Sequence, residues 1–243
     1  MSGVSGDPGA MTNRTNWTTE ELRLLLSEVS HDLRTPLSVI TGRASVLREL
    51  VRPEHRRDLD TIVREAYDVS YTFENLLAII EPDRETTGRE WVPLEEIVGA
   101  VLVRLSSVFD GRTLEADVPD DLLVHVHPVR GELLIANLLR RAAVHGPPAA
   151  PIEITARREG PVVSVEVAAR GPEAGAEHAH PHADDRATRA HALGLAACRA
   201  IVSRYGGTLD VSESANGATV LRIHVTDGES MPDLTGPARE EVV

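Results

Sequence analysis

Apolar residues recur every three or four positions from Leu22 to Leu47, through Leu25, Leu26, Val29, Leu33, Leu37, Ile40 and Ala44. That period predicts one apolar face sustained over about eight helical turns, interrupted only at Pro36. Thr18 followed by Glu21 makes a capping box, so the helix opens at about Thr19. Arg52-Pro53 closes it. A second run with the same period holds Leu59, Ile62, Val63, Ala66, Val69, Phe73, Leu76, Leu77 and Ile80, and stops before Pro82. Two long helices with a short connection predict an antiparallel hairpin. One hairpin cannot bury both of its faces, so a second copy is expected to complete a four-helix bundle.

Beyond the polar stretch Glu81–Glu90 the pattern becomes mixed α and β. A helix is predicted near Pro93–Phe109, then short strands at Leu114–Val118 and Leu122–Val126. A further helix lies near Val129–His145. Strands at Ile152–Arg157 and Val162–Ala168 alternate apolar and polar positions, as half-buried strands do. A polar Ala/His-rich loop, Arg170–Arg189, precedes a helix at Ala190–Tyr205 that Gly206-Gly207 stops. Strands at Thr208–Ser212 and Ala218–Val225 finish the pattern. Helices gathered on one face of a mixed sheet predict an α+β layer. The expected division is a disordered N-terminus (1–17), a helical domain (18–82), a linker (83–92), an α/β domain (93–226) and a disordered acidic tail (227–243).

Composition narrows the possible functions. The 243 residues are 42% hydrophobic and 26% charged, within the range of globular proteins, with aromatics at only 3%. The core must therefore be aliphatic. A formal net charge of −13 disfavours binding to a phosphate backbone, so no nucleic-acid partner is expected. Apolar runs are far shorter than the roughly 20 residues needed to span a bilayer. The start of the chain has no secretion-signal pattern, and the single Cys198 fits a reducing cytoplasm. All 25 basic residues are Arg. Any nucleotide chemistry must do without a phosphate-binding lysine.

The first helix carries Ser30-His31-Asp32-Leu33-Arg34-Thr35-Pro36-Leu37. A neutral imidazole is a good nucleophile near pH 7, and an adjacent carboxylate can orient or deprotonate it. Thr35 lies one turn on, where its hydroxyl could hold a water. Pro36 removes a backbone hydrogen bond just after this site. The octapeptide resembles the H-box of sensor histidine kinases, and the hairpin resembles their dimerisation and phosphotransfer domain. The segment Arg89-Glu90-Trp91-Val92-Pro93-Leu94-Glu95-Glu96-Ile97-Val98 resembles the join to the catalytic domain in the potassium-sensor KdpD subgroup.

The resemblance covers roughly residues 20–226 and implies a helical bundle followed by a Bergerat-type α/β sandwich. It implies that His31 accepts the phosphoryl group, that Asp32 assists as base and that Thr35 positions water during dephosphorylation of a response regulator. The nucleotide half departs from the family pattern. Asn137 matches the first Asn of the N-box, but Arg141 stands where the magnesium-binding Asn belongs, and Val144 where a phosphate-contacting Lys belongs. A guanidinium cannot ligate a cation. Ala169-Arg170-Gly171-Pro172-Glu173 replaces Asp-x-Gly-x-Gly and loses the adenine acceptor. Ala190-His191-Ala192-Leu193-Gly194-Leu195 keeps one of three glycines expected to approach phosphates at a helix start. The loop between these boxes is shorter than a usual ATP lid.

Asn137, Gly171 and Gly194 thus stand as remnants of an ATP pocket. The expected function is phosphotransfer or phosphatase action by His31 toward a response-regulator receiver domain, in a cytoplasmic homodimer or a heterodimer with another histidine kinase. ATP-driven autophosphorylation is expected to be lost, with no cofactor, or ATP and magnesium if the pocket still functions. Two alternatives stay open: an active ATP-dependent kinase with atypical boxes, and a non-catalytic pseudokinase that modulates another kinase. His178, His180 and His182 form a solvated insertion rather than a metal site. Cys198 is read as a small core residue.

Overall fold

The computed structural model describes residues 17–80, 88–105, 109, 112–145, 150–169, 185–213 and 219–226. Helix α1 spans Thr19–Leu50 and helix α2 spans Pro53–Ile80. The capping box forms as expected: the Glu21 amide donates to the Thr18 hydroxyl, and the Thr18 amide donates to Glu21 Oε2 at 2.7 Å. Helix α2 starts six positions earlier than the apolar run indicates. Pro53 opens it, at a position where the missing N–H is not needed. The two helices pack against each other, and Arg48 Nε donates to Asp60 Oδ1 at 2.6 Å close to the turn.

The second unit begins with β1 (Glu90–Pro93), which pairs antiparallel with β3 (Leu123–Val126). Residues 90–92, expected in the linker, are therefore strand. The backbone partners of β1 lie far along the chain, and no local period announces them. Helix α3 (Leu94–Leu105) follows, starting one residue later than predicted because Pro93 is still paired in β1. A five-stranded sheet has the order β2 (Leu114–Asp117), β4 (Ile152–Glu159), β5 (Val162–Ala169), β7 (Thr219–Thr226), β6 (Thr208–Glu213). Only β2 and β4 run parallel. Helices α4 (Pro128–His145) and α5 (Asp185–Arg204) pack on this sheet, α4 against β4, β5 and β7 and α5 against β6 and β7.

The core is aliphatic, as the composition requires. Leu133, Ile135, Leu138, Leu139, Ile152, Ile154 and Ile201 are fully buried between helices and sheet. Cys198 is among them, and burial pushes its thiol up to about 12. Helix α2 forms a third layer, packed on α5 and α4. Tyr71 and Ala78 of α2 belong to the same buried cluster as the sandwich. The hairpin and the α/β unit thus share a core along one face of α2.

Candidate functional site

His31 and Asp32 lie on the exposed side of α1, with side chains 81% and 83% accessible. His31 Nδ1 is 3.4 Å from Asp32 Oδ1, which leaves Nε2 turned away from the carboxylate. Thr35 is exposed one turn on, while Leu33 and Leu37 turn inward. Pro36 sits inside the helix without breaking it. Having no N–H, it leaves the Asp32 carbonyl without its helical donor. The arrangement offers a solvent-facing imidazole with a carboxylate on one nitrogen and a hydroxyl nearby. Further along the hairpin, toward its turn, large apolar side chains are exposed: Val39, Ile40, Val46, Leu47 and Ile62.

Asn137 has the opposite surroundings. It is buried on α4 and forms a reciprocal amide pair with Asn75 of α2: Asn137 Nδ2 donates to Asn75 Oδ1 at 2.6 Å, and Asn75 Nδ2 donates to Asn137 Oδ1 at 3.2 Å. Gly194 lies against this pair, and a Cβ there would stand 2.7 Å from Asn137 Oδ1. The glycine is required by a side-chain amide of the chain itself. Asp68, Tyr71 and Arg140 close the same region: Arg140 Nη2 donates to Asp68 Oδ1, and its guanidinium lies 4.7 Å from the Tyr71 ring centroid. What remains is a cavity of about 20 Å³, with Arg141 in its wall. That is room for about one water molecule.

The helix start expected at Ala190 is also displaced. Helix α5 begins at Asp185, so Gly194 lies nine residues inside it. Ala190 and Ala192 stand where the family has glycines, and alanine favours the helix by about 1 kcal/mol per position over glycine. The helix accordingly runs through the box instead of starting there. Val144, in place of the phosphate lysine, falls in the last turn of α4. Among the described residues, the cradle does not fit a magnesium-bound triphosphate: the amide is committed, the cation position is arginine and the space is filled by α2. Gly171 and the histidines at 178, 180 and 182 lie outside the described residues.

The structure therefore joins Asn137 to Gly194 and leaves His31, Asp32 and Thr35 together elsewhere. Asn75, Asp68 and Tyr71 were not anticipated. Their signal is a second stripe on α2, Tyr71–Asn75–Ala78 at spacings of four and three, distinct from the apolar face that packs on α1.

Comparison with known proteins matches residues 21–83 to the His Kinase A (phospho-acceptor) domain. Residues 127–229 match the histidine kinase-, DNA gyrase B- and HSP90-like ATPase family. The chain is 32% identical over 236 residues to the sensor protein KdpD of Escherichia coli, covering 91% of this chain and 26% of that protein. Against KdpD of Clostridium acetobutylicum it is 28% identical, covering 83% of this chain and 24% of that protein. It thus spans about a quarter of the length of these two relatives. Among solved structures, the histidine kinase AdeS of Acinetobacter baumannii superposes with a TM-score of 0.51 at 19% identity, covering 82% of this chain and 98% of that one. With its phospho-acceptor hairpin, its ATPase-type sandwich and its similarity to the C-terminal part of KdpD proteins, the chain belongs to the sensor histidine kinase family.

Proposed function

We propose that this protein passes phosphoryl groups between His31 and the receiver domain of a response regulator, or removes them from that receiver, without using ATP itself. The observation that carries this reading is the contrast between an open His31 and an Asn137 committed to Asn75. In the forward step, His31 Nε2 attacks the phosphorus of the receiver's aspartyl phosphate. The N–P bond forms, the P–O bond to the aspartyl carboxylate breaks, and that carboxylate leaves with the electron pair. Asp32, on Nδ1, takes the ring proton as the imidazole gains its substituent, so charge does not accumulate on the ring. In the phosphatase direction, Thr35 holds the attacking water and the products are inorganic phosphate and the free carboxylate.

The exposed apolar row on the hairpin supports a homodimer, with a second copy of α1 and α2 completing the bundle. No helix among the described residues is long and apolar enough to cross a membrane. We place the activity in the cytoplasm, where a lone buried cysteine stays reduced.

The test is to incubate the protein with a phosphorylated receiver and follow the label. Label on wild-type protein but not on His31→Ala establishes transfer, and faster loss of receiver phosphate that depends on Thr35 establishes the phosphatase. If neither occurs, the reading is wrong. Appearance of γ-phosphate from ATP on His31 would instead establish the active-kinase alternative.

A further inference from the structure

We propose that the groove between helix α3 and the outer edge of β2 takes an extended, basic segment of a partner protein, which joins the sheet as a further strand. Strand β2 ends the five-stranded sheet and has β4 on one side only. Helix α3 packs chiefly on α4 and β1, which leaves a space of about 430 Å³ between α3 and β2. Val98, Gly99 and Leu102 line it from the helix, and Ala116 and Val118 from the strand side. Glu95 and Glu96, in the first turn of α3, line it too and are exposed.

The register of β2 decides which backbone groups are on offer. The Ile152 amide donates to the Thr113 carbonyl, so the backbone of Thr113 turns toward β4. Strand geometry alternates from residue to residue, which turns Glu115 and Asp117 the same way. Leu114 and Ala116 then present their N–H and C=O groups to the open edge. Such a row is a template for another strand, held through the main chain and selected through alternate side chains.

Charge decides what that strand carries. Among the described residues, Glu95, Glu96 and Glu115 form no ion pair. Asp120 and Asp121 continue the acidic surface past the end of β2. Of the bases nearby, Arg157 is bound to Asp117, and Arg112 has one guanidinium nitrogen buried. Residues 106–111, which join α3 to the approach of β2, include Asp110 and no base. A second copy of this chain would bring the same acids to the same edge and meet like charge there. An incoming strand with lysine or arginine at alternate positions meets Glu115 on one face and turns its apolar residues to Leu102 and Val118 on the other. The groove shares no residue with the hairpin, so this inference does not rest on the phosphotransfer reading.

The experiment titrates the full chain with a short labelled peptide that alternates lysine and valine, followed by fluorescence anisotropy. Saturable binding is expected, weakened by added salt. Ala116→Pro removes an amide donor from the open edge without touching the bonds to β4, and should weaken binding by about tenfold or more. An unchanged thermal melt shows that this variant folds. Glu96→Arg should weaken binding about threefold, whereas Glu28→Arg, the same charge change on the exposed side of α1, should leave it unchanged. If Ala116→Pro melts early, the comparison of Glu96→Arg with Glu28→Arg decides alone. The proposal is overturned if the alternating basic peptide does not bind, or if folded Ala116→Pro binds it as well as wild type. It is overturned equally if a glutamate–valine peptide binds as tightly, or if a lysine–valine peptide with its valines in one block does. A smaller assembly for Ala116→Pro in sedimentation would overturn it in favour of a second copy on this edge.

Discussion

His31 lies in the phospho-acceptor domain and Asn137 in the ATPase-type domain, and their surroundings differ in every respect that chemistry depends on. His31 is open, held by one long carboxylate contact, with Asp32 and Thr35 exposed beside it. Asn137 is buried, doubly hydrogen bonded, and pressed by Gly194. An open group is kept for what arrives from outside, whereas a buried amide pair is kept for what it holds together. The same α2 that supports the His31 helix supplies the Asn75 that fills the cradle. One helix serves both regions in this molecule.

Several changes would break or sharpen that contrast. The largest effect is expected from His31→Ala, which should abolish label transfer from a phosphorylated receiver while leaving the melting temperature unchanged, because the side chain touches little. Scintillation counting and a thermal melt check both halves. Next comes Asn75→Ala, which strands the buried Asn137 amide and should cost about 1–3 kcal/mol of stability. Chemical denaturation measures it; an unchanged midpoint would mean that α2 does not occupy the cradle. Thr18→Ala removes a cap remote from both regions and should cost about 1 kcal/mol, without effect on transfer.

The smallest effect concerns Glu74. Burial raises its pKa despite Arg34, Arg104 and Arg130 nearby, so its ionised form is disfavoured in the folded state. Ionisation therefore subtracts stability above the raised folded pKa, and the loss disappears below the unfolded value. Glu74→Gln should melt slightly higher than wild type at pH 7, with the two curves converging as pH falls to about 4.

Local chemistry was legible where local forces decide. The Thr18–Glu21 box and the start of α1 at Thr19 appear in the structure where the chain announces them. The extension of α5 back to Asp185 was not legible, because residues 185–189 close a polar stretch with no apolar period of their own. Strand β1 was not legible, because its four residues include a proline and owe their conformation to β3. Neither was the Asn75–Asn137 pair, whose members are 62 positions apart, nor a cleft whose arginines come from three helices and the segment before β1. Sequence period reports which face of an element is apolar. It does not report which polar residue will meet which.

Helix α2 has no basic residue in its last turn, and its terminal carbonyls are met from outside. Arg204, at the far end of α5, donates to the carbonyl oxygens of Ala78 and Ile79 at 2.6 and 3.5 Å. The helix thus borrows its cap from the other unit, and its effective length depends on docking. If the units part, the last turn of α2 loses its donor and frays, so separation is converted into a shorter, softer lever beneath the His31 helix. An isolated hairpin cut at residue 82 would be a poor mechanical stand-in for the hairpin in the whole chain.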